Sequence, residues 1–375
     1  MSSETTKTIP PYGICCVQAN WDLNPRNLDG SFKKDHRQRN VQLMCDYIDH
    51  IFQTAVLPSQ VRLFCFPEFS IGGHYSFQDS TEEVKKHQAI SIPGPETEAL
   101  AAKAKQYKIY IAAVNTENDP VYPDNFFNTA FIINPKGKII LKYRKMNIAF
   151  GLNPHDIMDS YVNPITGNKD YFPVVDTEIG RLGCFICGDL GMPEIPRIYA
   201  LKGCEVLLHL SSGYSWEMAI NLLRARAVDN TIYIVHENWG SMTVSERNFG
   251  GTPITFTNSR GGGQSCIIDY NGNFIVQAEG HTPQVVLGTV DVMSLRRERE
   301  QWRRPNPFGQ GGNFLANTRT ELYAPYYNRT IYPPNTRLDS SIMAQPHDES
   351  SSQRRRQALA NLKKFHDFYS ENSVA

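Results

Sequence analysis

Three short stretches carry residue types that can do covalent chemistry. In LGCFICGD, an apolar run ends at Cys187, a glycine turn follows, and Met192-Pro193-Glu194 opens a helix. A side chain at such a strand-to-helix turn is thrust out at a sheet edge, the layout of a nucleophile elbow. A thiol close to a helix N-terminus is expected to be more acidic and a better nucleophile. The backbone N–H of Gly188 is then placed to donate to an oxyanion. The competing reading of this segment is a cysteine that merely fills core. Phe66-Pro67-Glu68-Phe69 puts a carboxylate at the end of a second apolar strand, and Lys142-Tyr143-Arg144-Lys145 ends a hairpin. Singly, a glutamate after proline is ordinarily a surface loop, and a lysine in a basic run is ordinarily solvated. Together they complete a set. Glu68 can take the thiol proton if Phe66 and Phe69 raise its pKa, and Lys145 can hold a developing oxyanion.

Such groups need a rigid frame. Residues 13–18, 61–66 and 108–114 read as buried strands, and 181–187, 205–210 and 231–237 as three more. Helices are expected at 36–56, from Pro95 to about Tyr107, at 192–202 and at 216–229; the first carries a stripe of Val41, Met44, Ile48 and Ile51. Two hairpins turn at Pro135-Lys136-Gly137 and Asn271-Gly272. Alternating strands and helices make this an α/β protein with a central sheet core. Near residue 300 the composition shifts, so 303–350 reads as an extended arm and 352–370 as a helix. Its Arg354-Arg355-Arg356 run reads as a solvated or partner-facing surface rather than a nucleic-acid patch.

Composition removes several classes. The 375 residues include 38 basic and 38 acidic side chains, a balance unlike that of a nucleic-acid or polybasic membrane binder. No apolar run approaches the ~18 residues that a membrane span needs, and the polar N-terminus lacks a signal-peptide pattern. The eight cysteines form no disulfide framework, so reduced thiols and a cytoplasmic setting are expected. Cys184 and Cys187 make a C-x-x-C, but residues three apart in a strand face opposite sides. With no second ligand pair, neither a metal nor a redox role is expected.

The three motifs, in this order, resemble the Glu–Lys–Cys triad of the nitrilase superfamily of carbon–nitrogen hydrolases. Pro193-Glu194, Arg197 and Ala200 after the cysteine, and Arg224-Ala225-Arg226-Ala227 with Asp229-Asn230, resemble the family's flanking stretches. The resemblance covers about residues 12–298 and implies a four-layer α-β-β-α sandwich. The expected organisation is a polar segment 1–11, a hydrolase domain 12–300, and a C-terminal arm and helix 301–375 that contacts another subunit. The family implies homodimers or larger homo-oligomers, no cofactor and no metal. It also implies an acyl-enzyme in which Cys187 attacks, Glu68 shuttles protons, and Lys145 and the Gly188 N–H hold the oxyanion.

Gly188-Asp189 after the cysteine is unlike the Trp-Glu typical of true nitrilases, which favours amides over nitriles. Leu190 and Gly191 stand where carbamoyl-amino-acid hydrolases place arginines, so a carboxylate clamp is missing there. The chain is closest in feel to the aliphatic amidases and formamidases, with a neutral, apolar or aromatic amide as the expected substrate. Phe150, Tyr214, Trp216 and Trp239 are candidate pocket walls. Many relatives carry a second glutamate shortly after the lysine. Residues 146–154 contain no carboxylate, and Asp156 or His155 is the candidate for that fourth position. The alternatives are a ureido or carbamate hydrolase with the same triad, and a catalytically weak oligomeric scaffold.

Overall fold

A computed structural model of the chain describes residues 8–27, 29–54, 60–75, 79–147, 151–213, 217–240, 245–249, 252–256, 262–280, 282–300, 315–336 and 347–372. The first half contains β1 (Tyr12–Gln18), α1 (His36–Thr54), β2 (Val61–Glu68), α2 (Thr81–His87), α3 (Pro95–Tyr107), β3 (Tyr110–Glu117), β4 (Phe127–Ile133) and β5 (Ile139–Arg144). Next come β6 (Val175–Thr177), β7 (Gly180–Ile186), α4 (Glu194–Leu201), β8 (Val206–Leu210), α5 (Glu217–Asn230) and β9 (Tyr233–Glu237). The chain continues through β10 (Ser245–Phe249), β11 (Thr252–Phe256), β12 (Cys266–Ile268), β13 (Phe274–Gln277), β14 (Gln284–Val290), α6 (Val292–Glu300), α7 (Thr320–Tyr323) and α8 (His347–Asn372).

Twelve of the described strands form two six-stranded sheets, ordered β14-β1-β2-β3-β4-β5 and β13-β12-β9-β8-β7-β6, and β10 pairs with β11 in a two-stranded one. Within them β1, β2 and β3 run parallel, as do β7, β8 and β9. Parallel strands covered on both faces read as unbroken apolar runs, and β1 is buried along its whole length. Its side chains alternate between two cores. Ile14 and Cys16 join Leu63 and Cys65 of β2 and Leu182, Cys184 and Leu208 of the second sheet. Cys15 and Val17 join Phe64 and Phe66 and the buried stripe of α1, Met44 and Ile48, with Leu100 and Ala104 of α3. Tyr199 of α4 and Leu223 of α5 pack with the second sheet. The layers are therefore α-β-β-α, as the resemblance implies.

Local signals set the helix ends. Pro95 occupies the first turn of α3, and Lys108 ends the helix in a left-handed conformation at φ +56°. By contrast β14 lacks a local signature, because half of it faces solvent and its partner is β1, far away in sequence. No described helix is long and apolar enough to cross a membrane.

Candidate active site

Topology gathers the candidate side chains at one end of the sandwich. Glu68 is the last residue of β2, Lys145 follows β5, Cys187 follows β7, and Ser211-Ser212-Gly213 follow β8. Ligands gather at the carboxyl ends of parallel strands in such sheets, because the chain turns away there and leaves a crevice.

Glu68 is 1% exposed and saturated with donors. Its Oε1 accepts from Lys145 Nζ at 2.8 Å and from Asn128 Nδ2 at 2.6 Å. Its Oε2 accepts from the Ser212 N–H at 3.1 Å and the Ser212 hydroxyl at 2.8 Å. Burial would raise this carboxyl, but the Lys145 charge and the hydrogen bonds from Lys145, Ser212 and Asn128 outweigh it and hold the pKa below the ordinary range. The sequence expectation of a raised pKa is thus corrected. Phe66 faces the core under the helices, and four donors decide the charge state. Lys145 is pushed up: burial opposes its charge, but the negative charge that Cys187 takes on when ionised, and that of Glu68, win.

Cys187 is partly exposed, whereas the other seven cysteines are buried. Its thiol is raised by burial and then by Glu68, against the pull of Lys145 and of hydrogen bonds from the Ser211 side chain and the Ser212 backbone. The expected acidic thiol is therefore also corrected. The turn after Cys187 is a 3-10 segment, Cys187–Gly191, and α4 begins only at Glu194. The N-terminus of α4 therefore does not follow the sulfur directly. The resting site holds a neutral thiol beside a carboxylate–ammonium pair, a neutral set that is cheaper to bury than a lone charge.

The segment Ser211-Ser212-Gly213 bridges sulfur and carboxylate, and the sequence reading passed it over. Ser212 holds Glu68. The Gly213 position sits so close that a Cβ there would lie 3.2 Å from the Cys187 sulfur. Asp189 was missed as well. Its Oδ1 accepts the Asn147 N–H at 2.8 Å, and its Oδ2 accepts the Tyr143 hydroxyl at 2.7 Å and the Ile186 N–H at 3.2 Å. It thereby clamps the loop after Lys145 to the turn after Cys187. The available signals were positional: a small polar pair closing an apolar strand, and a carboxylate two residues after the cysteine. Tyr75 was a third omission; burial raises its pKa, and Lys145, Glu68 and Cys187 all act on it electrostatically.

The proposed fourth position resolves differently. Asp156 is 1% exposed, and its carboxylate takes Asn153 Nδ2 at 2.7 Å, the Thr336 hydroxyl at 3.0 Å and Arg354 Nη1 at 2.8 Å. His155 lies with its ring 5.8 Å from Tyr332, and burial lowers its pKa. Both residues therefore hold the C-terminal extension, which explains one arginine of the basic run. Trp239 is buried in the cluster that also holds Trp21, Phe66 and Phe69, its ring stacked 6.4 Å from His74. Phe150, Tyr214 and Trp216 lie outside the described residues. Gly188 is exposed, and its carbonyl accepts from Asn147 Nδ2 at 3.3 Å. No group of three or more His, Cys, Asp and Glu among the described residues is arranged to hold a metal.

An α-β-β-α sandwich with a thiol, a carboxylate and an ammonium at its strand ends has the layout of a nitrilase-superfamily hydrolase. The sequence profile of the carbon–nitrogen hydrolase family matches residues 14–300. The chain belongs to the carbon–nitrogen hydrolase family and is an amidase-type enzyme within it. A formamidase of Helicobacter acinonychis (strain Sheeba) is 32% identical over 250 residues, 66% of this chain and 66% of the relative. A formamidase of Bacillus cereus (strain B4264) is 31% identical over 250 residues, 66% of this chain and 67% of the relative. The match thus spans about two thirds of the length of these relatives. Among solved structures, a carbon–nitrogen hydrolase from Helicobacter pylori G27 superposes with a TM-score of 0.59 at 18% identity, covering 85% of this chain and 99% of that one. Nit3 of Saccharomyces cerevisiae superposes with a TM-score of 0.56 at 20% identity, covering 80% and 98%.

Proposed function

We propose that the chain hydrolyses a neutral amide through a thioester on Cys187. The observation that carries this reading is the Glu68–Lys145 pair, 2.8 Å apart and buried beside the one cysteine with solvent access. In the reaction, the Cys187 thiol gives its proton to Glu68 as sulfur bonds to the amide carbon. The oxygen takes the negative charge and is held by Lys145 and the Gly188 N–H. Collapse breaks the C–N bond, and Glu68 returns the proton to the departing ammonia or amine. Water then attacks the thioester with Glu68 as base, and the acid leaves.

The acyl side is apolar or aromatic. Support comes from Tyr75, whose ring lies 5.4 Å from Phe69 and 5.7 Å from Phe126 and which couples to all three triad groups. Leu190 and Gly191 offer no charge to a substrate carboxylate, and Asp156 is committed to the tail. The test is ammonia release from formamide, acetamide, propionamide and benzamide, with mass mapping of Cys187. Turnover with an acyl adduct on Cys187 is expected, and Cys187→Ala should abolish both. A folded chain with neither turnover nor adduct on any of these amides overturns the reading.

The partner is a second copy of the chain. Support comes from Met192, Leu201 and Met218, on and beside α4 and α5, which are 44%, 50% and 68% exposed. The arm runs beside this layer, where the Tyr327 hydroxyl donates to Glu194 at 3.1 Å and Arg197 reaches Thr318 at 3.3 Å. Leu322, Tyr323 and Tyr326 of the arm are exposed as well.

A further inference from the structure

Cys187 has φ +46°, a left-handed conformation that a residue with a Cβ keeps only when its surroundings hold it. Its carbonyl is held from the next strand. His209 Nε2 lies 3.0 Å from the Cys187 oxygen, and His209 Nδ1 lies 2.9 Å from His236 Nδ1. The two residues face each other across β8 and β9, and both are 3% exposed.

The proton positions follow by elimination. A carbonyl only accepts, so His209 carries its proton on Nε2. In the neutral ring Nδ1 is then a bare lone pair, and His236 must donate to it from its own Nδ1. This leaves His236 Nε2 as a lone pair, and that atom has no partner among the described residues. Burial holds His209 down to about 4, and burial and the neighbouring ring hold His236 well below its ordinary value, so both are neutral near pH 7. The donors therefore run one way, from His236 to His209 to the Cys187 carbonyl.

That carbonyl shares a peptide unit with the Gly188 N–H. The unit is planar and trans, so its oxygen and hydrogen point in opposite directions. Fixing the oxygen aims the hydrogen, and a carbonyl that accepts a bond leaves its N–H a stronger donor. We propose that His209, set in its tautomer by His236, is a positioning residue that aims the Gly188 N–H at the oxyanion. This rests on the amidase reading above and adds two residues to its oxyanion machinery.

The experiment compares two reactions of the full-length chain. Amide hydrolysis needs an oxyanion; alkylation of Cys187 by iodoacetamide displaces iodide and needs none. His209→Phe should lower kcat by roughly ten- to a hundredfold, somewhat less than outright loss of an oxyanion donor. KM and the Cys187 alkylation rate, read by peptide mass, should stay near wild type. His209→Gln, whose amide can donate to the same carbonyl, should recover most of the lost kcat. Undiminished kcat in His209→Phe, or equal losses of hydrolysis and alkylation, overturns the proposal. Should His209→Phe fail to fold, His236→Leu decides. It frees the tautomer and should cost several-fold in kcat with alkylation intact, and unchanged kcat refutes the relay. A wild-type chain that is alkylated yet hydrolyses no amide removes the amidase reading itself, and this role with it.

Discussion

Replacing Glu68 by Gln separates the charge of the carboxylate from its shape. Glu68 accepts from Lys145, Asn128 and twice from Ser212. A glutamine keeps one acceptor oxygen and turns an N–H₂ toward groups of which the Ser212 hydroxyl can accept and the Ser212 N–H cannot. The ammonium of Lys145 loses its partner, and leaving a buried charge unpaired costs about 3–5 kcal/mol. One group can replace the lost anion. The Cys187 thiol is raised by burial and by Glu68 and lowered by Lys145. Removing that neighbouring negative charge lowers the thiol pKa, so the thiolate fraction should rise. Glu68→Gln should therefore show stronger thiolate ultraviolet absorbance and faster iodoacetamide alkylation than wild type. Amide turnover should vanish, because nothing remains to protonate the leaving amine. The assay is alkylation rate against pH beside ammonia release. A variant whose alkylation slows in step with turnover would show that Glu68 does not raise the thiol at rest, and retained turnover would remove it from the chemistry.

Other outcomes follow from the same contacts. His209 falls from 6.5 to about 4 on folding, so the unfolded chain binds more protons between those values and stability must drop as pH falls through them. From His209 alone about 3 kcal/mol should be lost by pH 4; urea titrations at pH 7 and pH 4.5 check this, and His209→Phe should flatten the slope. Gly213→Ala would set a methyl 3.2 Å from the Cys187 sulfur and 3.4 Å from the Ser211 hydroxyl. It should cut kcat roughly tenfold or more with little change in thermal midpoint, and wild-type kcat would mean that the sulfur has room to move. Deleting residues after 300 removes Arg354 from Asp156 and the tyrosine-rich arm from α4. The oligomer should shrink in light scattering, and an unchanged mass would place the interface elsewhere.

Much of this site was legible in the chain because its signals are local. An apolar run closing on Pro67-Glu68, a hairpin closing on Lys145 and a strand breaking at Cys187 each announce a side chain at a strand end. Period-two alternation sent Cys15 and Cys16 to different cores, where they lie. The charge states were not legible. Phe66 and Phe69 flank Glu68 in sequence and suggest an apolar, pKa-raising setting. Its carboxylate instead meets Asn128, Lys145 and Ser212, contributed from outside β2. Asp156 read as a spare carboxylate because its partner Arg354 is 198 residues away.

The chain alone determined which atoms were available and at which strand ends they stand, because strand periodicity and turn chemistry act over a few residues. Tertiary structure alone decided the protonation of those atoms and their geometry. Desolvation and Coulomb forces depend on what is near in space: His209 reaches Cys187 when β8 pairs with β7, Ser212 reaches Glu68 when the two sheets close, and Arg354 reaches Asp156 when the tail folds back.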